Sequence, residues 1–256
     1  MRIPAFRDVI WAGAGLAAVL ALAAPARAEQ RETERVDRTV AFVAGGTVTL
    51  KNFSGEVRIT GADRNEVVIH AVRRATRERL DRVKLDIQAS GSRLTIDANK
   101  RDEGWFNWHT NNVVETDFEI EVPARTDLDV NVFSSDVRIT GVEGRHKTHG
   151  FSGDLTLQRI QGSIDAKTFS GDIDVEVTAT TEPELELETF SGDITARLPE
   201  GANGRVQFRS FSGEIRSDYP MTLRSKSRRN LDAQLGSGAG RELYFKTFSG
   251  DVTIRK

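Results

Sequence analysis

Seven carboxylates close the same short turn in this chain: Glu56, Asp136, Asp154, Asp172, Asp193, Glu214 and Asp251, each two residues after a Ser. Evenly spaced acids could ligate calcium. Calcium-binding β-rolls, however, carry Gly- and Asp-rich repeats of nine residues, and here one Gly and one acid recur every 18 to 21 from Phe133 to Phe211. An acid placed after Ser-Gly serves instead to accept turn amides. Like charges stacked along such a row repel by only about 1 kcal/mol in water, so no cation is required. The turn is not a nucleophile elbow, which needs a G-x-S-x-G frame between a strand and a helix. His146 and His149 stand three apart on a strand and so point to opposite faces, a poor metal pair. No two acids separate from the rest as a glycosidase pair. Cysteine is absent, which excludes thiol chemistry and disulfides. The expectation is a protein that is not an enzyme, with no catalytic residue, metal or cofactor.

One further cluster has the composition of a binding site. Residues 104–109 read GWFNWH, and Trp105, Phe106, Trp108 and His109 could stack on a sugar ring, an interface or a partner. The same rings could equally fold back and plug the end of the fold.

The elements that position these residues are repeats. The FSG turn begins at Phe53, Phe151, Phe169, Phe190, Phe211 and Phe248, with a variant, FSS, at Phe133. From Phe133 the steps are 18, 18, 21, 21 and 37 residues. The best-formed copies are Phe151-Ser152-Gly153-Asp154, Phe169-Ser170-Gly171-Asp172 and Phe190-Ser191-Gly192-Asp193. A branched apolar residue follows each acid, as Leu155, Ile173 and Ile194 do. A second turn recurs at Gly144 and Gly162. Between turns the residues alternate: Leu155 and Leu157 against Thr156 and Gln158, Leu185 and Leu187 against Glu184, Glu186 and Glu188. Period-two alternation denotes strands with one wet face. One coil cannot bury its apolar face alone, but stacked coils can. The predicted fold is all-β, an elongated two-sheet β-solenoid, β-roll or β-helix-like, of about 18–21-residue coils.

The Phe of the turn falls where the alternation slips. Counting forward from Ile164 puts residue 169 outside, and counting back from Ile173 puts it inside. A slip of one residue marks a bulge or corner. The rings are expected to stack about 4.8 Å apart along one edge, either shielding the corner or forming a partly exposed aromatic ladder.

Residues 1–28 have the layout of a secretory signal peptide: Arg2 and Arg7, an apolar stretch from Val9 to Ala24, then Ala26-Arg27-Ala28 before Glu29. Its removal takes three Arg and one Asp and leaves 33 basic and 37 acidic side chains, a formal charge of −4. That balance does not suggest a nucleic-acid partner, and no later segment is long and apolar enough to span a bilayer. The expected organisation is a lead-in over 29–44, an irregular first part of the solenoid with the aromatic loop over 45–130, and a regular repeat over 131–256. In that last part residues 217–241 form a Gly- and Arg-rich capping excursion; in the first part the charged run 73–82 suits a short helix rather than a solvated crossover.

The run from FEIEVPARTDLDVNVFSSDVRITGVEG through the repeated SGD[IV] to the closing TFSGDVTI resembles the bacterial putative-adhesin domain-of-unknown-function family. The resemblance implies an exported, β-rich, repeat-built protein with no catalytic residues to carry over. The expected function is a non-catalytic extracytoplasmic binding module, adhesin-like, whose partner is an unknown envelope protein or glycan. The alternative is a periplasmic accessory protein in envelope-stress signalling that docks another protein. Either places the chain in the periplasm or outside the cell.

Overall fold

The computed structural model describes residues 31–101, 113–178, 182–237 and 240–256. It is nearly all β, 73% strand and 3% helix. The N-terminal part contains β1 (Arg31–Ala41), β2 (Thr47–Ala62), β3 (Glu66–Thr76), helix α1 (Arg77–Arg82), β4 (Val83–Ser90), β5 (Arg93–Arg101) and β6 (Glu115–Pro123). There follow β7 (Asp127–Thr140), β8 (His146–His149), β9 (Leu155–Ile160), β10 (Ser163–Ser170), β11 (Ile173–Val177), β12 (Glu184–Ser191) and β13 (Ile194–Arg197). The last part holds β14 (Gly204–Ser212), β15 (Ile215–Ser217), β16 (Met221–Lys226), β17 (Asn230–Leu235), β18 (Glu242–Ser249) and β19 (Val252–Arg255). The helix is shorter than the charged run 73–82 suggests, because residues 73–76 continue β3. Arg73 points inward there, pairs with Glu34 and donates to the Val83 carbonyl.

The strands form one long open hydrogen-bonded sheet that runs as two ladders. The first ladder is β4–β5–β2–β7–β8–β10–β12–β18–β14–β17–β16. The second is β1–β3–β6–β2–β7–β9–β11–β13–β19–β15. The long strands β2 and β7 pass through the corner and belong to both. Pairing within the repeated array is parallel; antiparallel strands finish both ends of the first ladder and the β1–β3 end of the second, whose other end is the short parallel strand β15. Such finishing strands blunt edges that would otherwise template further pairing.

Alternation decides which side chains enter the space between the ladders. Leu128 and Val130, Ile164 and Ala166, Leu185 and Leu187, and Leu243 and Phe245 come from the first ladder. Val137 and Ile139, Leu155 and Leu157, Ile173 and Val175, and Val252 and Ile254 come from the second. All are buried in one continuous cluster. Each full burial of such a side chain contributes about 1.5–3 kcal/mol, and each needs the next coil as its lid.

Coils do not stack in chain order throughout. The last coil, β18–β19, inserts between β12–β13 and β14–β15: Leu243 pairs with both Leu185 and Val206, and Val252 with both Ile194 and Ile215. The hairpin β16–β17 of the 217–241 excursion then pairs antiparallel along β14.

Candidate functional site

The FSG turn is the corner between the two ladders. Thr168 is buried, Phe169 and Ser170 are exposed, and Ile173 is buried again, so inside and outside exchange within the turn. Gly171 makes this possible with φ of +140°, a region side chains rarely enter. It is also wedged against the coil beside it. A Cβ on Gly171 would sit 2.2 Å from the Gly153 carbonyl oxygen, and one on Gly250 only 1.9 Å from that of Gly192. The glycines therefore nest backbone to backbone.

The acids complete the corner. The Asp154 amide donates to Asp136 Oδ1 (3.0 Å), that of Asp172 to Asp154 (2.9 Å), Asp193 to Asp172 (2.8 Å), Asp251 to Asp193 (2.7 Å) and Glu214 to Asp251 (2.9 Å). Each carboxylate thus accepts a charge-assisted bond from the equivalent amide of the neighbouring coil. Partners lie 18, 18, 21, 58 and 37 residues apart, the last two reflecting the inserted coil. On the inner side, Thr189 Oγ1 donates to the Gly171 carbonyl at 3.1 Å.

This scaffold lines up seven phenylalanine rings in the spatial order Phe53, Phe133, Phe151, Phe169, Phe190, Phe248, Phe211. Successive centroids are 4.8, 4.9, 5.1, 4.7, 4.6 and 4.7 Å apart, and planes differ by at most 14°. The spacing is that of neighbouring strands. The rings stack and remain open to solvent at once: Phe133 to Phe248 are 43–53% exposed. Each ring face is covered by the next ring, so the ridge presents ring edges. At its end the Arg229 guanidinium lies over the outer ring, 4.3 Å from the Phe211 centroid.

Beside the Phe169–Phe211 end of the ridge runs a groove of about 600 Å³. Its other wall is a row of charges on adjacent strands: Lys167, Glu188, Lys246 and Arg209, followed by Asn230. Glu188 takes bonds from both lysines, 2.7 Å to Lys246 and 3.4 Å to Lys167. Burial opposes the charge on Glu188, but the two lysines outweigh it and hold its pKa below the usual carboxylate value. Burial likewise opposes the Lys167 ammonium, and Glu186, Asp165 and Glu188 hold its pKa above the usual lysine value. Lys246 and Arg209 stand directly opposite each other, two like charges in register.

Among the residues singled out in the sequence, the three FSGD turns lie in this one corner. Trp105, Phe106, Trp108 and His109 lie outside the described residues. His146 is buried between Leu128 and Ile164 of its neighbouring strands, while His149 stands outward, 3.3 Å from Asp165. Sequence reasoning did not find Lys246, Arg209 and Arg229 as a group. Only the excess of Arg in 217–241 hinted at them, because their proximity depends on the inserted coil and the returning hairpin.

The Toastrack DUF4097 family matches residues 128–255, half of the chain. The chain belongs to this family. No curated protein is matched in sequence. Among solved structures, this Toastrack chain is similar to a putative cell adhesion protein from Clostridium sporogenes, with 11% identity and a TM-score of 0.49 over 87% of this chain and 99% of that one. A putative adhesin from Bacteroides fragilis gives 10% identity and a TM-score of 0.40 over 86% and 97%. The Toastrack match spans β7 to β19 and so covers the parallel array that carries most of the ridge. No helix among the described residues is long and apolar enough to cross a membrane.

Proposed function

We propose that this protein is a non-catalytic, extracytoplasmic binding module that engages its partner through the phenylalanine ridge. The single observation that carries this reading is an unbroken stack of seven rings along one corner, six of them, Phe133 to Phe248, left about half exposed. A contiguous apolar stripe costs solubility, and stripes of this kind mark interaction sites. A repeat fold could have placed Thr or Lys at that position without changing its turn. Ring edges rather than faces meet the solvent, which favours an apolar partner over stacking on a glycan. Export through residues 1–28 is part of the proposal, and N-terminal sequencing of the protein from fractionated cells is expected to begin at Glu29 in a periplasmic or secreted fraction. An intact Met1 in the membrane fraction would refute export.

The function is tested with Phe133→Ser/Phe151→Ser/Phe169→Ser. These side chains point out of the core, so the triple variant is expected to keep its far-ultraviolet circular dichroism and a cooperative melt. The parent is expected to be retained on envelope material, and the variant to lose that retention. A folded variant retained as well as the parent would overturn the reading.

A further inference from the structure

We propose that the groove beside Phe169–Phe211 binds one molecule of an anionic single-chain amphiphile, its alkyl chain along the ring edges and its head group at Arg209 and Arg229. This deepens the binding-module reading and rests on it.

The apolar half of the site is the ring edges of Phe169, Phe190, Phe248 and Phe211, one from each of four adjacent strands, which span about 14 Å. A straight file of CH edges with no open ring face suits an extended alkyl chain and offers nothing for a planar or sugar ring to stack on. The groove volume of about 600 Å³ lies within the roughly 300–1,000 Å³ of small-molecule sites.

The polar half is a charge imbalance. Four cations border the groove, Lys167, Lys246, Arg209 and Arg229; Glu188 is shared by both lysines and Lys167 is also held by Asp165 and Glu186, so the unbalanced charge is that of the two arginines. Among the described residues neither arginine has a carboxylate within ion-pair distance; Arg209 lies over the Tyr244 ring and Arg229 over Phe211. Like charges directly opposite on neighbouring strands are destabilising, and Lys246 opposite Arg209 is such a pair. A carboxylate or phosphate bound at Arg209 and Arg229 offsets that repulsion, and guanidinium is the side chain best shaped for it.

An anionic bilayer fits less well. On its other flank the whole ridge is bordered by the acid row, Asp136 through Asp251, which would face the lipid head groups. The two arginines lie at one end of the ridge, Arg209 on β14 and Arg229 in the turn between β16 and β17, which suits one bound molecule.

The test uses dodecyl phosphate below its micelle concentration, with binding followed by calorimetry on the purified protein. Saturable binding with one site is expected. Inorganic phosphate, which lacks the chain, and dodecyl maltoside, which lacks the charge, are each expected to bind at least tenfold more weakly. Arg209→Gln/Arg229→Gln is expected to weaken dodecyl phosphate at least tenfold, and Arg138→Gln, an exposed cation of β7 outside the groove and the ridge, to leave it unchanged. Equal binding of the three compounds, no effect of the arginine changes, or an equal loss in Arg138→Gln would overturn the proposal. So would binding to anionic phospholipid vesicles that outlasts the loss of both arginines. If dodecyl phosphate fails to bind while the Phe133/Phe151/Phe169 variant still loses retention, the amphiphile falls and the binding module stands. If the amphiphile binds as expected and that variant is retained like the parent, the reverse holds.

Discussion

At the residue scale, two positions carry opposite kinds of information. Gly171 has no side chain because there is no room for one. Gly171→Val combines backbone strain of about 1–3 kcal/mol with a Cβ placed 2.2 Å from a neighbouring carbonyl oxygen. Its cost is therefore expected to exceed the strain alone, and a denaturant titration against the parent measures it. His146 is a polar residue in an apolar column. Neither ring nitrogen has a hydrogen-bond partner within range, and burial lowers its pKa from 6.5 to about 4. The unfolded chain takes up a proton as the pH falls below about 6.5, and the folded chain resists until about pH 4. Stability present above pH 6.5 is therefore lost as the pH falls through this window, by up to about 3 kcal/mol, and the loss levels off below it. His146→Leu, which matches Leu128 beside it, is expected to flatten this dependence in urea titrations between pH 7.5 and pH 4.5. The glycine could be read from the repeat. The burial of His146 could be read from alternation, but not its missing partners, which depend on coils on both sides.

At the element scale, the turns and strands were legible in the sequence because both obey short periods. The corner slip at Phe169 was visible as two counts that disagree by one, and the structure places that residue outside with its ring stacked. What the sequence did not disclose is order. Val206 and Leu243 each lie on an alternating strand that suits either side of the β12 coil, and nothing local to them says which is nearer. The hairpin β16–β17 is read poorly for the same reason: its partner β14 precedes it, but its role as an end strand follows from the insertion. Ala233 is buried in β17 opposite Val206. Ala233→Pro removes an amide and clashes within the strand, so it is expected to detach the hairpin. Contact in stacked coils is nearest-neighbour. Hydrogen exchange is therefore expected to quicken in Gly204–Ser212 and to remain slow in β7 and β9. Equal quickening throughout would show that the array unfolds only as a whole.

At the scale of the whole molecule, the described chain from Arg31 to Lys256 is a single compact unit, built around a parallel array. Its apolar ridge and acid row run side by side along one corner, so any partner that reads the corner meets both. Stability is distributed over coil interfaces, and no single coil is expected to be dispensable except at the ends. The insertion of β18–β19 has a consequence in time. A chain that emerges N-terminus first presents Gly204–Ser217 before the coil it must pair with exists, since that coil, β18–β19, comes later in the chain. Until Glu242–Arg255 has emerged, β12–β13 and β14–β15 each lack a lid on the side where that coil belongs. The array can zip from β7 to β13 as it appears, but its last third must wait and then accept a strand between two that are already present. A chain that is held unfolded until fully translocated never faces this order problem. Truncation before Glu242 is expected to leave β7–β13 protected and to release everything from Gly204 onward to protease, a larger loss than the residues removed.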